Sequence, residues 1–171
     1  MTHAVPLHQV DAFTDEPFRG NPAAVCLLKG PRDAAWLQSV AAEMNLAETA
    51  FLWRAGAAYG LRWFTPTVEV PLCGHATLAS AYIVMTELAP GRERVVFRTR
   101  QSGALTVTRD GTGFALDFPA HLRWQPGDPG PAAAALGAMP LEVVVSEHRM
   151  LLARFEAAQA GKRTKPGSAK T

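Results

Sequence analysis

Residues 70–85 read VPLCGHATLASAYIVM, and the helix that this stretch predicts organises the rest of the fold. Apolar residues occupy most positions after the Cys-Gly-His triplet, so the pattern predicts a helix from about Gly74 to Leu88. A helix that is apolar nearly all round must be enclosed by other elements. We therefore expect this helix to lie at the centre of the core.

The predicted helix begins in an unusual way, with Cys73, Gly74 and His75. The first turn of a helix leaves free backbone N–H groups at the positive end of the helix dipole, where a carboxylate or enolate can bind. Gly74 would let such a ligand approach the backbone. The dipole would also favour a neutral His75 and shift Cys73 toward the thiolate. The alternative is a structural buried cysteine with a histidine that only caps the turn.

The segment NLAETAFL, residues 45–52, contains a single ionisable group, Glu48. Its apolar neighbours would partly desolvate the carboxylate, which would make Glu48 a better proton carrier near neutral pH. The pattern alone favours a different interpretation, a solvated glutamate on the outer face of a strand, because most glutamates are exposed. Both interpretations stay open at this point.

Composition limits the classes of protein to which the chain can belong. Its 171 residues are 48% apolar and 19% charged, which fits one ordinary domain with a packed core. A net charge of +2 is too balanced to indicate a nucleic acid or a membrane as the main partner. Two cysteines, Cys26 and Cys73, cannot form a disulfide framework. We therefore expect a cytoplasmic, soluble protein with no signal peptide and no membrane span.

The sequence gives little support for a metal or an organic cofactor. Cys73 and His75 lie close together in the sequence, but no further ligand cluster accompanies them. No Walker loop and no Rossmann fingerprint follows a predicted strand. A Cys–His hydrolase stays open as an alternative, although no local nucleophile signature accompanies the pair. The other histidines are scattered along the chain: His3, His8, His121 and His148.

The remaining segments predict an α+β fold in which strands wrap around a buried helix. Asp33 is the predicted N-cap of a second helix, whose apolar residues recur at helical spacing from Trp36 to Met44. A short helix is predicted around Ala132 to Leu136, and DGTG predicts a hairpin. Strands are predicted at LHQVDAF, AAVCLL, ETAFLWR, LRWFT, RVVFRT, ALTVTR, FALDF and LEVVVS.

Three connections are predicted between these elements. Ala55 to Gly60 is expected to be a loop of small residues, and Gly20-Asn21-Pro22 is typical of a turn whose asparagine could hydrogen-bond a ligand. The segment PAHLRWQPGDPGP is a proline-rich connection.

Four segments, in this order, resemble the phenazine-biosynthesis PhzF-like isomerases, which have the diaminopimelate-epimerase fold. The resemblance covers most of the chain up to about LARFE. It implies a β-barrel-like antiparallel or mixed sheet around a central buried helix. Members of the family have two such halves, with the active site in the cleft between them. The four segments are VDAFTDEPFRGNPAAVCLL, AAEMNLAETAFL, LRWFTPTVEVPLCGHATLASAYIV and SGALTVTRDGTGFALDFPA.

The resemblance also implies roles for individual residues. The glutamate of the family's NLSET-type motif is the catalytic proton shuttle and maps to Glu48, with Ala47 where serine is usual. The GH pair at the helix start contacts substrate and maps to Gly74 and His75. Cys73 lies where related amino-acid epimerases and racemases have a cysteine, which implies a substrate contact and leaves open a thiol-based reaction. A small carboxylate substrate, no metal, no cofactor and frequent homodimers are further implications.

The resemblance covers only the first half of the family. We assign residues 1–156 to the N-terminal PhzF-like lobe and 157–171, which are basic, small and polar, to a disordered tail. The second-half aspartate and the TGSAH-like motif do not occur, so we expect an impaired isomerase. A catalytically silent lobe that acts as a binding or assembly module and a Cys73-dependent racemase stay open. The expected partner is a second copy or a separate second lobe.

Overall fold

A computed structural model describes residues 4–119, 123–147 and 150–156. The chain divides into two compact units, Met1–Pro119 and Ala120–Thr171. The first unit contains β1 (Leu7–Ala12), β2 (Asn21–Leu28), α1 (Ala34–Met44), β3 (Glu48–Ala55), β4 (Ala58–Phe64), β5 (Glu69–Val70), α2 (Gly74–Ile83), a π-helical turn (Val84–Leu88), β6 (Arg94–Thr99), β7 (Ala104–Asp110) and β8 (Gly113–Asp117). The second unit contains β9 (Trp124–Pro126), α3 (Pro129–Leu136), β10 (Glu142–Ser146) and β11 (Leu151–Arg154).

The strands of the first unit form one mixed sheet of eight strands. Their order is β1-β2-β3-β4-β6-β7-β8, and β5 pairs with β4 beside this path. The β2–β3 and β4–β6 pairs are parallel, whereas the other neighbours are antiparallel. The sheet curls around α2, which packs against β1, β2, β3 and β8. The predicted α+β fold, a mixed sheet wrapped around a central helix, is confirmed.

Helix α2 is buried over most of its surface because its side chains are small. The hydroxyl groups of Thr77 and Ser80 donate to the carbonyls of Cys73 and Ala76, so neither is an unpaired polar group in the core. One stripe is different, since Leu78 is only partly buried and Tyr82 is exposed. The buried residues of α2 are His75, Ala76, Thr77, Ala79, Ser80, Ala81 and Ile83.

Helix α1 covers the opposite face of the sheet. Its N-cap is Asp33, as predicted, and the carboxylate accepts a hydrogen bond of 2.8 Å from the backbone N–H of Trp36. The helix packs against β3 and β4. The buried cluster between helix and sheet consists of Cys26, Leu37, Ala41, Phe51 and Phe64.

An ion pair fixes the segment that leads into α2. The Arg62 guanidinium donates to both carboxylate oxygens of Glu69, at 2.7 Å each, and Arg100 donates to the same carboxylate at 3.1 Å. Hydrogen bonding to Arg62 is the main reason that the pKa of Glu69 lies below its usual value. Because Glu69 lies on β5, only a few residues before Cys73, this two-pronged contact restrains the approach to the helix start.

Several boundaries differ from those predicted. Strand β3 continues to Ala55, and β4 begins at Ala58. The predicted loop is therefore only a two-residue turn, in which Gly56 has a φ of +67°. Asn21 and Pro22 belong to β2 rather than to a turn, and they pair with Ala12 and Asp11 on the edge strand. Alanine and asparagine carry little strand signal, and cross-strand pairing decides their conformation here.

The predicted end of the central helix changes its winding. The α-helix ends at Ile83, and residues Val84–Leu88 form a π-helical turn that closes with a 2.7 Å hydrogen bond from Ala89 N–H to the Val84 carbonyl. Helical structure therefore reaches Leu88, as predicted, although its last turn is wider than an α-helical turn.

The second unit is a small antiparallel sheet in the order β11-β10-β9, with α3 packed against β10. Helix α3 begins at Pro129, three residues before the predicted start, because Asp128 is its N-cap and proline fits the first turn. Strand β9 lies within the predicted proline-rich connection, and β11 was not predicted.

The assignment of 1–156 to one lobe stays a prediction, and residues 157–171, His3, His121 and His148 lie outside the described residues.

No helix in the described part of the chain is both long enough and apolar enough to cross a membrane.

We predict that Gly60→Ala destabilises the first unit. Gly60 lies on β4 opposite Trp53, and an added Cβ would lie 2.1 Å from the Trp53 indole ring, so the ring would have to leave its packed position. We expect the free energy of unfolding in urea to fall by about 1–3 kcal/mol. Gly30→Ala is the control, because its Cβ would meet no atom within 4 Å. Equal stabilities of the two variants would contradict this packing.

Candidate active site

The curled sheet brings the start of β3 close to the start of α2. Glu48 is the first residue of β3, and His75 lies in the first turn of α2. The Glu48 Oε2 atom is 3.4 Å from His75 Nε2. Residues separated by 27 positions in the sequence therefore meet at one point.

Cys73 lies on the other side of the same imidazole. Its Sγ atom is 3.5 Å from His75 Nδ1. One ligand atom from each of Glu48, Cys73 and His75 lies within 4.8 Å of the other two. The structure thus brings three of the four predicted site residues into a single cluster, while their chemical roles stay predictions.

Gly74 lies beneath an aromatic ring at the helix start. A Cβ at this position would lie 2.8 Å from the Cζ atom of Phe118, just beyond the end of β8. A side chain at this position would therefore require the Phe118 ring to move. Sequence analysis missed Phe118, because nothing in the FALDF pattern indicates that its final aromatic residue reaches across to another element.

The three clustered side chains differ in their exposure to solvent. Cys73 and His75 are buried, whereas 22% of the Glu48 side chain is exposed. His75 Nε2 is buried and makes no hydrogen bond among the described residues, because the 3.4 Å contact with Glu48 lacks hydrogen-bond geometry. Glu48 is therefore the member of the cluster that a ligand reaches most readily.

The predicted shift of Cys73 toward the thiolate is wrong. Burial raises the pKa of the Cys73 thiol to about 11, and the negative charge of Glu48 raises it further, although the N–H groups of Ala76 and His75 act in the opposite direction. Desolvation therefore outweighs the helix N-terminus. At neutral pH the thiol keeps its proton, and the same holds for Cys26, whose pKa burial also raises to about 11.

A groove on the first unit is separate from this cluster. It has a volume of about 630 Å³ and lies over the exposed stripe of α2, between β1, the loop that follows it and the start of β8. Leu78, Tyr82 and Phe114 contribute its apolar wall, but Glu48, Cys73 and His75 are not among its lining residues. The cluster at the start of α2 therefore does not line this groove.

Comparisons with known proteins identify the family. Residues 10–121 match the family model described as phenazine biosynthesis-like protein, PhzC-PhzF. An uncharacterized isomerase of Halalkalibacterium halodurans is 49% identical over 140 residues, which are 81% of this chain and 52% of that protein. A human phenazine biosynthesis-like domain-containing protein is 46% identical over 125 residues, 68% of this chain and 43% of that protein.

Solved structures show the same relationship. A PhzF-family protein of Enterococcus faecalis has a TM-score of 0.74 at 41% identity, covering 83% of this chain and 54% of that chain. For a PhzC/PhzF protein of Clostridium difficile the TM-score is 0.78 at 38% identity, with 96% of this chain and 62% of that chain covered.

The chain belongs to the PhzF-like family of phenazine biosynthesis-like proteins, whose curated relatives include isomerases. It spans about half the length of the curated relatives that it matches.

We predict that Glu48→Gln accelerates the alkylation of Cys73. The charge of Glu48 contributes to the raised pKa of Cys73, so its removal lowers that pKa and increases the thiolate fraction at pH 8 to 9. Iodoacetamide labelling followed by peptide mass spectrometry gives the rate for each cysteine. Cys26 serves as the control within the same chain, because its pKa is raised by burial alone. An unchanged ratio of Cys73 to Cys26 labelling would contradict the electrostatic coupling.

Proposed function

We propose that the cluster at the start of α2 is the proton-transfer site of a PhzF-like isomerase. In this proposal Glu48 removes a proton from one carbon of a small carboxylate substrate and returns it to another carbon, without a metal or an organic cofactor. The observation that carries the proposal is the 3.4 Å approach of Glu48 to His75 at a helix N-terminus. A base and a group of N–H donors within reach of one ligand are what proton transfer at carbon requires.

Glu48 suits the role of the base better than Cys73 does. A general base must be unprotonated at the working pH and must reach the proton that it removes. The Cys73 thiol has a pKa of about 11 and is buried, whereas the Glu48 carboxylate is partly exposed. These contrasts favour the carboxylate mechanism over the Cys73-dependent racemase.

The start of α2 supplies the substrate contacts in this proposal. Backbone N–H groups of Gly74 and His75 would bind the substrate carboxylate and stabilise the enolate that forms when the proton leaves. Cys73 and the His75 ring would form the buried wall behind it, with His75 Nε2 3.4 Å from the Glu48 carboxylate. Phe118 would then limit the space above Gly74, where its ring already lies.

A binding or assembly module without catalytic activity is the second candidate. The burial of Cys73 and His75 favours it, because among the three clustered side chains only Glu48 is substantially open to a ligand. Fully active proton transfer would also need donors on the opposite side of the substrate. In this proposal a second copy or a separate second lobe supplies them, so we expect the chain alone to exchange protons slowly.

Deuterium uptake into candidate carboxylate substrates tests the proposal. We expect slow exchange of an α-proton in D₂O by the wild-type chain, and a loss of about 10²–10⁴-fold in Glu48→Gln because the base is gone. Cys73→Ala should retain the exchange. Glu43→Gln is the matched control, since Glu43 is an exposed glutamate on α1 and is not part of the cluster at the start of α2.

The alternatives predict different results in the same experiment. Exchange that disappears only in Cys73→Ala would indicate a thiol-based racemase. No exchange by the wild-type chain, with or without an added second lobe from a relative, would contradict the proposed isomerase and favour the binding module.

A further inference from the structure

The groove over α2 is an open concave surface on the first unit. It lies between β1 and the start of β8, which are the two end strands of the curled sheet. Leu78 and Tyr82, on the exposed stripe of α2, line it with residues of β1 and of the loop that follows β1. Since Glu48, Cys73 and His75 do not line it, the groove is independent of the proposed proton-transfer site.

Aromatic side chains line this groove and remain open to solvent. Phe13 is 73% exposed and Tyr82 is 44% exposed. The Tyr82 ring meets Phe114 edge to face, with ring centroids 6.2 Å apart. Exposed aromatic rings on a concave surface indicate a contact surface, and their faces attract cations. Arg109 already lies over the Phe114 ring, 5.4 Å from its centroid, so this wall accommodates a guanidinium.

The charged groups that line the groove are all acidic. Asp11, Asp15 and Glu16 are among its lining residues, whereas none of these described residues is a lysine, an arginine or a histidine. Asp11 accepts a hydrogen bond from the Phe18 N–H at 2.9 Å, and Glu16 lies 3.4 Å from Arg19. Asp15 has no hydrogen bond or ion pair within the described part of the chain. A carboxylate without a cation therefore lies beside aromatic faces, which favours a cationic occupant.

The chain contains a segment of the complementary charge. Residues 157–171, the basic segment, contain four lysine and arginine residues and no acidic residue. The other 156 residues contain 13 basic and 15 acidic residues, so the net positive charge of the chain comes entirely from this segment. Lysine and arginine also suit an apolar wall, because their aliphatic stems cover apolar surface while the charged ends reach carboxylates. The four cations are Lys162, Arg163, Lys165 and Lys170.

We propose that the groove over α2 binds the basic segment. Its lysine and arginine side chains contact Asp15 and the faces of Phe13 and Tyr82, and the segment covers the exposed stripe of α2. Charge makes a second copy packed groove to groove the less favourable occupant, because that arrangement brings the acidic residues of the two copies together.

A labelled peptide measures this binding directly. The peptide comprises residues 157–171 with both ends blocked and one fluorophore, and fluorescence anisotropy gives its Kd. The protein is the full chain with the four cations of its own segment changed to glutamine, so that this segment does not compete. We expect saturable binding that weakens roughly 10-fold between about 50 and 500 mM NaCl, because salt screens exposed charges. In the chain with its native segment, the peptide should bind more weakly, because the two segments compete for one groove.

Asp15→Lys tests the position of the bound segment. Because Asp15 contacts no described partner, its replacement breaks no contact of the fold, and it should weaken peptide binding by about 5-fold or more. Glu43→Lys makes the same change of charge at an exposed position on α1 and should alter the Kd by less than about 2-fold. A peptide carrying Lys162→Glu and Lys165→Glu should show the opposite preference and bind the Asp15→Lys chain more tightly than the parent chain.

Tyr82→Leu tests the aromatic wall. Leucine keeps an apolar side chain on the stripe but removes the ring face, so peptide binding should weaken by about 2- to 5-fold. Circular dichroism confirms that each variant is folded.

Three results would overturn the proposal. The first is the absence of saturable peptide binding at low salt. The second is equal weakening by Asp15→Lys and Glu43→Lys, which would indicate a general attraction to the acidic surface. The third is equal peptide affinity of the chains with the native and the glutamine-substituted segment, which would show that the chain's own segment does not occupy the groove.

Discussion

Burial of helix α2 inside the curled sheet is the constraint on which the rest of the structure depends. The helix can be enclosed because alanine, serine and threonine dominate its surface, and these small side chains let β1, β2, β3 and β8 approach its backbone. Its two buried hydroxyl groups bond back to the helix itself and need no partner on the sheet. Enclosure fixes the position of the first turn, and with it the position of His75 opposite Glu48.

Desolvation and the helix N-terminus act against each other at this first turn. The free N–H groups stabilise negative charge and lower the pKa of Cys73. Burial destabilises the thiolate by more than these groups stabilise it, so the thiol stays protonated. Glu48 differs from Cys73 in its depth, because part of its side chain remains exposed to solvent. The division between an inert thiol and an available carboxylate therefore follows from depth of burial, which no motif in the sequence expresses.

Sequence patterns predicted the features that depend on local chemistry. The run of small apolar residues after Gly74 predicted the central helix, Asp33 predicted the start of α1, and the DGTG turn predicted the β7–β8 hairpin. Features that depend on contacts between residues far apart in the sequence were not predicted: the short strands β5, β9 and β11, the placement of Asn21 within β2, and the position of the Phe118 ring over Gly74. For the site, resemblance to the family paired Glu48 with His75, whereas the protonation of Cys73 required the fold.

Native-state hydrogen exchange of the α2 amides is the most direct test of whether the first unit depends on the burial of α2. If the helix is the element that the whole sheet encloses, the amides of Ser80, Ala81 and Ile83 exchange only when the first unit unfolds. Their exchange free energies should then equal the free energy of unfolding measured in urea. Exchange through local opening, several kcal/mol below the global value while β3 and β4 stay protected, would contradict the central role assigned to α2.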